Sequence, residues 1–303
     1  MSQATPVRVD GRTLKLSNLD KVLYPEDGFT KGEVIDYYAR IGPAILPHLR
    51  DRPLTVIRFP DGVEGKHFFE KNSPAHRPDW VRTVPIDVGS RGGTIDFAVC
   101  DDLATLVWLA QLAAIELHPS LAKADEIERP TVLAFDLDPG DPATIVECCT
   151  VALRVRALFS GLGLEAFPKT SGSKGMQVYV PLNGELTYET TKPYARAVAR
   201  ALESAEPDLV TSQMTKSLRS GKVFVDWSQN TQTKTTVAVY SLRARSQPTA
   251  STPLLWDEVE RAAASGDPDE LRFTAADLLE RYERHGDPFA PVLELEQELP
   301  ASL

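Results

Sequence analysis

The chain has 303 residues, of which 42% are hydrophobic and 25% are charged. This composition is ordinary for a globular protein with a full core. No apolar run reaches the length that spans a bilayer, and residues 1–10 lack the apolar segment of a signal peptide. The three cysteines fit no zinc-site spacing, and the adjacent pair Cys148 and Cys149 is expected to be buried as free thiols. We therefore expect a cytoplasmic protein without a membrane partner.

The formal net charge of −10 is concentrated at one end of the chain. Residues 257–303 carry 13 acidic residues and 4 arginines, whereas the other 256 residues carry 30 acidic and 29 basic groups. The acidic end is predicted to be a solvated helical appendage. A nearly neutral body can carry a basic face, so the negative total does not exclude a nucleic-acid partner.

The first half of the chain predicts alternating helices and strands. Thr30 and Glu33 form a capping-box pattern that begins an apolar-periodic helix. Residues 54–59 predict a strand. A strongly apolar helix is expected to begin at Asp101 or Asp102 and to end near His118.

Two carboxylates close the apolar strand that follows. Residues 131–135 are apolar and rich in β-formers, and Pro139-Gly140 ends the strand after Asp136 and Asp138. Positions i and i+2 of a strand share one face, with Cα atoms roughly 6.5–7 Å apart. That spacing suits carboxylates that share divalent cations bound to phosphate oxygens. The alternative is that an aspartate before Pro-Gly only caps a turn.

The rest of the chain adds a polar loop and a third carboxylate. Residues 171–175, Ser-Gly-Ser-Lys-Gly, are predicted to link two strands and offer backbone N–H groups and the Lys174 ammonium to a phosphate, although a plain surface turn is the alternative. Asp226 lies in an apolar strand, where burial of a carboxylate costs free energy unless a metal or an arginine partners it. Further segments are predicted as helices over 142–162 and 188–204, a strand over 235–242 and two helices after residue 252.

This mixture of elements predicts an α+β fold with mixed, largely antiparallel sheets flanked by helices. An Asp-x-Asp strand end, a Gly/Ser/Lys loop and a lone aspartate on a third strand together form a nucleotidyl-transfer arrangement. In such enzymes two cations held by carboxylates align an attacking hydroxyl and neutralise phosphate charge. A metal-dependent nuclease or a sugar-nucleotide transferase also uses Asp-x-Asp and is the alternative class.

The order of these motifs resembles the archaeo-eukaryotic primase superfamily, and specifically the polymerase domain of bacterial ATP-dependent DNA ligase D and its stand-alone relatives. The resemblance covers nearly the whole chain. It rests on these segments: Leu14-Lys15-Leu16-Ser17-Asn18, Lys21-Val22-Leu23-Tyr24-Pro25, His67-Phe68-Phe69-Glu70-Lys71, Phe135-Asp136-Leu137-Asp138-Pro139, Thr170-Ser171-Gly172-Ser173-Lys174-Gly175, Thr215-Lys216-Ser217-Leu218-Arg219, Phe224-Val225-Asp226-Trp227-Ser228-Gln229-Asn230 and Tyr240-Ser241-Leu242-Arg243-Ala244-Arg245.

The resemblance implies roles for the residues in those motifs. The catalytic metal ligands are expected to be Asp136, Asp138 and Asp226, holding two ions, with Mn²⁺ favoured over Mg²⁺. The expected nucleotide contacts are His118, Ser171, Lys174, Arg219, Gln229 and Arg243. Without the resemblance, His118 would be taken as a residue that caps a helix C-terminus.

The resemblance also implies contacts with DNA. Asn18, Lys21 and Lys31 match a pocket for the 5′-phosphate of a gap, although the two lysines alone would be taken as solvated surface. Phe68 and Phe69 match aromatics that stack beside the template. Adjacent strand residues point to opposite faces, so we expect at most one of the two to be free to stack.

Two positions depart from the family pattern. Ile57 stands where related domains can carry a basic residue near the nucleotide, with Arg58 the only nearby cation. Gln177 stands where many relatives have His, and a neutral amide brings no charge to a phosphate. Triphosphate affinity or metal preference is therefore expected to differ.

The resemblance implies one primase-polymerase domain over 1–303, with an RRM-like catalytic core. Its expected parts are an N-terminal part over about 1–125, a catalytic core over about 126–250 and the acidic appendage over 251–303. The implied activity is addition of rNTPs or dNTPs to primer 3′ ends at gaps and double-strand breaks in bacterial repair. Primer synthesis and a non-catalytic DNA-end-binding module remain alternatives. The end-binding protein Ku and an ATP-dependent DNA ligase are the implied partners, in the cytoplasm at the nucleoid.

Overall fold

The computed structural model describes residues 4–89 and 93–301. The predicted domain limits at residues 1 and 303 lie outside that range. The strands are β1 (Thr5–Val9), β2 (Arg12–Leu16), β3 (Val22–Tyr24), β4 (Phe29–Thr30), β5 (Leu54–Arg58), β6 (Phe68–Glu70), β7 (Thr83–Asp87), β8 (Thr94–Ala98), β9 (Ala114–Pro119), β10 (Val132–Pro139), β11 (Phe167–Thr170), β12 (Met176–Pro181), β13 (Val210–Thr211) and β14 (Val223–Asp226). The α-helices are α1 (Lys31–Leu49), α2 (Leu103–Gln111), α3 (Ile145–Gly161), α4 (Tyr188–Ala205), α5 (Trp256–Ser265) and α6 (Ala275–His285).

These elements confirm the predicted α+β class, and they group into two compact units. The first unit contains the chain up to Asp125 with Thr235–Ala250 and Thr274–Gly286. The second unit contains Glu126–Lys234, Ser251–Phe273 and the described residues from Asp287 onward. The C-terminal helices are divided between them, because α5 belongs to the second unit and α6 to the first. That all parts act as a single domain stays a prediction.

In the first unit, β5 is the central strand of an antiparallel sheet. It pairs with β6, β8 and β9, and β7 extends the sheet from β8. The capping box predicted for α1 is confirmed, since Thr30 accepts from the Glu33 backbone and the Glu33 carboxylate accepts from Thr30 N. Each pairing satisfies a backbone N–H at the helix start.

Two predictions in this unit are wrong. The apolar helix α2 ends at Gln111, and His118 lies in β9, where it pairs with Thr55. The backbone reverses at Ala113, which has a φ of +58°. A short apolar run cannot be divided between helix and strand by periodicity, which is why the prediction failed. Residues 235–242 are irregular instead of a strand and form only isolated pairings such as Ser120 with Thr235.

In the second unit, five strands form one sheet in the order β11-β12-β10-β14-β13. All pairings are antiparallel except that of β13 with β14. The elements β10, α3, β11, β12, α4 and β14 follow a βαββαβ order, with β10 and β12 at the centre of the four main strands. This is the split βαβ arrangement of an RRM-like core.

The alternation of side chains along β10 decides where the carboxylates point. Leu133, Phe135 and Leu137 lie in the core of this unit together with α3 and α4. Since side chains alternate between the faces of a strand, Asp136 and Asp138 project from the opposite face. The helices thus cover one side of the sheet and leave the other to polar chemistry. Within the described residues no helix combines the length and apolarity needed to cross a membrane.

Candidate active site

The sheet of the second unit brings the three predicted metal ligands together. Asp136 on β10 is directly opposite Asp226 on β14 in their antiparallel pairing. Asp138 lies two residues farther along β10, on the same face as Asp136. Cβ atoms of directly opposed residues lie about 5 Å apart in an antiparallel pair. Residues 90 positions apart in the sequence therefore form one acidic cluster.

Two amides hold the carboxylates of this cluster. Gln177 Nε2 donates to Asp136 Oδ1 at 3.1 Å. Gln229 Nε2 donates to Asp226 Oδ2 at 3.0 Å and to Asp136 Oδ2 at 3.4 Å, so a single amide bridges both strands. The Lys234 ammonium lies 3.8 Å from Asp226 Oδ2. Gln177 thus acts on a carboxylate, a role that the family departure at this position did not suggest.

The pKa of Asp136 shows that the carboxylates of this cluster repel one another. Burial, followed by the charges of Asp138 and Asp226, raises the pKa of Asp136 to about 7, although the hydrogen bond from Gln177 and the charge of Lys169 act in the opposite direction. An ordinary aspartate has a pKa near 4. Neighbouring carboxylates that disfavour each other's charge are what a bound cation stabilises.

The donor set fits a hard divalent cation. Carboxylate oxygens are the ligands that Mg²⁺ and Mn²⁺ prefer, and neither His nor Cys competes in this cluster. The Gln177 Oε1 atom is buried without a hydrogen-bond partner beside Asp136, which leaves an acceptor for a metal-bound water. No three His, Cys, Asp or Glu side chains in the described residues converge enough to hold an ion as they stand. The Asp226 Oδ1 atom is instead engaged by Ser228 N at 2.9 Å.

The predicted phosphate loop packs directly against β10. Its backbone closes through Ser171 N and Gly175 O at 2.9 Å, and Ser171 Oγ accepts from Ser173 N and Gly175 N. A Cβ at Gly175 would overlap the carbonyl oxygen of Leu137, between the two aspartates of β10. Lys174 is exposed, with its ammonium 3.5 Å from Asp141. The loop therefore extends its lysine into solvent from a backbone that contacts the strand of Asp136 and Asp138.

Arg219 lies near the same end of β10. A Cβ at Gly140 would overlap the Arg219 carbonyl oxygen, so the two backbones are in close contact just after Asp138. Its guanidinium stacks 3.7 Å above the centroid of the Phe224 ring and donates to Met214 O at 2.7 Å. The structure thus brings Arg219, Gln229, Ser171 and Lys174 to the unit that carries the aspartates. Their contacts with a nucleotide stay predictions.

His118 and Arg243 belong to the first unit, where both contact one carboxylate. Glu116 Oε2 lies 2.9 Å from His118 Nε2, and Glu116 Oε1 lies 3.2 Å from Arg243 Nε. Ala244 N also donates to Oε1 at 3.0 Å. Burial acts to raise the pKa of Glu116, but the hydrogen bond with His118 and the charge of Arg243 outweigh it and lower the pKa to about 2. Glu116 therefore fixes both predicted nucleotide contacts.

The three residues predicted to bind a 5′-phosphate lie together in the first unit. Lys21 N donates to Asn18 O at 3.1 Å, and Lys31 N donates to Lys21 O at 2.8 Å. Lys31 Nζ donates to Ser17 O at 2.9 Å. Burial, then the charges of Lys21 and Arg58, lowers the pKa of Lys31 to about 8. Lys21 and Lys31 therefore place two cations together at the start of α1, where the Lys21 ammonium also lies 3.1 Å from Asp61 Oδ1. Their contact with a 5′-phosphate stays a prediction.

Phe68 and Phe69 both lie in β6 and are both exposed, at 43% and 65% of their surface. The expectation that at most one of the two is free to stack stays a prediction, because exposure alone tests no contact with DNA. Arg58 lies 5.0 Å from the centroid of the Phe68 ring and pairs with Glu70 at 2.9 Å. Ile57 is buried in β5.

Two residues of these clusters were missed by sequence reasoning. Glu116 stands two positions before His118 in an apolar strand, the same i, i+2 pattern that identified Asp136 and Asp138. Lys169 is fully buried on β11 next to Gln177, and its ammonium donates to Ser251 Oγ at 2.8 Å. The sequence carries a signal for Glu116. It carries none for Lys169, because the residues next to Lys169 are set by how β11 pairs with β12.

Comparisons with known proteins identify the family of the chain. The family model for the primase-polymerase domain of LigD matches residues 30–289. The chain therefore belongs to the family of LigD primase-polymerase domains. The chain is also similar to a solved structure, the "Polymerase Domain from Mycobacterium tuberculosis Ligase D in complex with DNA". The TM-score is 0.85 and the sequence identity is 40%, and the match covers 94% of this chain and 99% of that one.

Among curated proteins the chain is similar to LigD of several bacteria. It is 43% identical over 281 residues to the multifunctional non-homologous end joining protein LigD of Mycolicibacterium smegmatis, covering 92% of this chain and 36% of that protein. It is 31% identical over 290 residues to the bifunctional LigD of Bacillus subtilis, covering 95% of this chain and 46% of that protein. The chain thus spans less than half the length of these relatives.

Proposed function

We propose that the chain is a template-directed nucleotidyltransferase that adds rNTPs or dNTPs to primer 3′ ends at gaps and double-strand breaks in bacterial end joining. The observation that carries this proposal is the cross-strand acidic cluster of Asp136, Asp138 and Asp226 beside the Ser-Gly-Ser-Lys-Gly loop. The names of the LigD relatives and the DNA-bound polymerase domain support the same reaction. Gapped or broken DNA with a 5′-phosphate is its proposed substrate, and Ku and an ATP-dependent DNA ligase are its proposed partners at the nucleoid.

The three aspartates would hold two divalent ions, with Mn²⁺ favoured. Ions held there would supply positive charge against the phosphate oxygens and the attacking hydroxyl. The protein side chains supply position and charge. Gln177 and Gln229 orient the carboxylates, Lys174 holds phosphate oxygens as a point charge, and Arg219 offers a fork of donors. No nucleophilic side chain is required, because phosphoryl transfer depends on positioning and electrostatics.

The test is primer extension on a gapped duplex that carries a 5′-phosphate, with Mn²⁺ and each rNTP and dNTP, resolved on a denaturing gel. Asp136→Ala with Asp138→Ala should abolish extension and leave DNA binding intact. The matched control is Asp267→Ala with Asp269→Ala, a second Asp-x-Asp pair that is exposed to solvent. The control should extend primers like the unaltered protein.

Three outcomes contradict the proposal. Equal extension by the Asp136/Asp138 variant would remove the metal-site assignment. Shortening of the labelled strand would identify a nuclease. Binding to DNA ends without extension by the unaltered protein would favour a non-catalytic end-binding module.

A further inference from the structure

Helix α4 carries a row of cations on its exposed face. Lys192, Arg196 and Arg200 follow one another at intervals of four residues, so they lie on one side of the helix at steps of about 6 Å along its axis. The adjacent stripe of the helix, about 100° around its axis, is buried in the core of the second unit through Ala195, Val198, Ala199 and Leu202. The row therefore runs along the border between the buried stripe and solvent.

These cations lack carboxylate partners. Among the described residues none of the three forms an ion pair, whereas Arg129, Arg154 and Arg156 of the same unit each lie within 3.1 Å of a glutamate oxygen. The nearest acid toward the end of α4, Glu203, accepts instead from the hydroxyls of Thr211 and Ser212. Like charges at i, i+4 on a helix repel each other. An unpaired row of this kind is complementary to a polyanion.

The row forms one wall of a groove with a volume of about 750 Å³. The residues that line it are Lys192, Pro193, Arg196, Ala197, Arg200 and Trp227. The Arg196 guanidinium lies 5.0 Å from the centroid of the Trp227 ring. The indole is fixed, because its Nε1 donates to Ser212 O at 3.1 Å. The groove therefore combines three cations with one anchored aromatic surface and contains no acid.

We propose that this groove binds a single strand of DNA, with phosphates on the three cations and a base stacked on Trp227. Proteins that bind single strands combine a positive groove that follows the backbone with aromatic surfaces that stack bases. A duplex offers the phosphates but no unstacked base, and an acidic peptide offers charge but no ring for the indole. The proposal rests on the proposed function, in that it takes DNA as the substrate.

The position of Trp227 relates this groove to β14, whose Asp226 projects from the face of the sheet that the helices do not cover. Trp227 directly follows Asp226, so a strand held on α4 lies next to the segment that carries the third carboxylate. None of the DNA contacts implied by the family resemblance falls on α4. The groove would thus hold an unpaired part of the substrate at the second unit.

The first experiment neutralises the row with Lys192→Gln, Arg196→Gln and Arg200→Gln. Binding of a labelled 12-nucleotide oligothymidylate is measured by fluorescence anisotropy over a salt series, without metal or nucleotide. We expect the affinity to fall about tenfold and the slope of log K against log salt to decrease by about 2, since each phosphate contact on a single strand contributes about 0.7.

The matched control is Arg129→Gln, Arg154→Gln and Arg156→Gln, which changes the net charge by the same amount in the same unit. One of these cations, Arg156, also lies 4.9 Å from the centroid of a tryptophan ring, that of Trp256. The control should bind within about twofold of the unaltered protein, because its arginines already have glutamate partners. If the two triple variants lose equal affinity, the effect is one of net charge and the groove is not the site.

A second measurement separates stacking from charge. Oligothymidylate should quench the part of the tryptophan fluorescence that Trp227→Phe removes, whereas a strand of abasic sites with the same phosphates should leave it unquenched. Polyglutamate of equal length should not displace the oligothymidylate at equal concentration. Quenching by the abasic strand, or displacement by polyglutamate, would overturn the proposal.

The binding assay needs no catalysis, so binding of the strand can be measured whether or not the protein extends primers. If the unaltered protein extends primers but the α4 variant binds the strand like its control, the groove proposal fails and the polymerase proposal stands. If the strand binds through α4 but no primer is extended, the polymerase proposal fails and the groove proposal stands.

Discussion

Two carboxylates of this chain, each in a strand of its own unit, have pKa values shifted in opposite directions. The pKa of Glu116 in the first unit is lowered to about 2, whereas the pKa of Asp136 in the second unit is raised to about 7. Both are desolvated, so burial does not distinguish them. The difference is that the fold supplies Glu116 with His118 and Arg243, and supplies Asp136 with Asp138 and Asp226.

The comparison separates a structural carboxylate from one suited to bind a cation. Glu116 has its counter-charges within the protein, and it fixes the two side chains that contact it. Asp136 lies beside like charges, with amide donors from Gln177 and Gln229 that do not neutralise it. Lys169 and Lys234 offset the charge of the acidic cluster only in part, since the pKa of Asp136 remains raised, and an external cation is stabilised most at such a cluster.

The largest expected effect is the loss of folding stability on substitution of Glu116 in the first unit. Glu116→Gln should lower the free energy of unfolding by about 3–5 kcal/mol, because it leaves partly buried cations without their carboxylate. The pKa of Glu116 falls from 4.5 to about 2 on folding, so this stabilisation is present above about pH 4.5 and is lost as the pH falls toward 2. Urea unfolding between pH 2 and 7 measures it. A difference between the two proteins that does not shrink toward pH 2 would contradict the ion-pair account.

For a substitution at Asp136, the expected change in the free energy of unfolding has the opposite sign. In the metal-free protein, Asp136→Asn should raise the free energy of unfolding by about 1–3 kcal/mol at pH 8, because it removes a carboxylate repelled by its neighbours. The pKa rises from 3.8 to about 7 on folding, so the stability of the unaltered protein should fall as the pH rises through that interval. The same urea titration in EDTA measures the effect. Asp267→Asn, on an exposed aspartate, is the control and should change little; destabilisation by Asp136→Asn would contradict the comparison.

Addition of a divalent cation should offset the repulsion between the carboxylates of the acidic cluster and so raise the free energy of unfolding. Mn²⁺ at 100 times its Kd should stabilise the protein by about 2.7 kcal/mol, which corresponds to a Tm rise of about 5 °C. Below about pH 7 the ion must displace the proton of Asp136, so the shift should be smaller at pH 6 than at pH 8. Differential scanning calorimetry with and without EDTA measures it. An equal shift in the Asp136→Asn/Asp138→Asn variant would place the ion elsewhere.

The smallest expected effect concerns the cluster of Lys21 and Lys31. Lys21→Ala should weaken binding to a gap with a 5′-phosphate by about fivefold and leave a gap with a 5′-hydroxyl unchanged, because one exposed charge–phosphate contact contributes about 1 kcal/mol. The pKa of Lys31 is about 8, so the preference for the phosphorylated gap should decrease as the pH rises through 8. Anisotropy titrations on the two gapped duplexes measure both effects. The control is Lys15→Ala, and equal weakening on both duplexes would remove the 5′-phosphate role.

Much of the candidate site could be predicted from the sequence because it depends on local rules. The period of a strand placed Asp136 and Asp138 on one face, and the capping box located the start of α1. The loop over 171–175 followed from glycines between two β-rich segments, and the structure confirms it between β11 and β12.

The remainder depends on register and on short apolar runs. That Asp136 faces Asp226 is decided by how β10 pairs with β14, which no local pattern encodes. The same holds for Gln177 and Lys169, which reach the cluster across neighbouring strands. His118 was assigned to a helix because seven of the nine residues of α2 are buried and apolar residues 112–115 follow the helix directly into β9.

The close approach of Gly175 to Leu137 joins the phosphate loop to the aspartate strand as one mechanical piece. A side chain at position 175 forces either the loop or the main chain between the two aspartates to shift. The added methyl of Gly175→Ala alters no carboxylate and no charge, yet it must displace backbone beside Leu137. The loop and the two aspartates therefore share one steric constraint, which glycine satisfies.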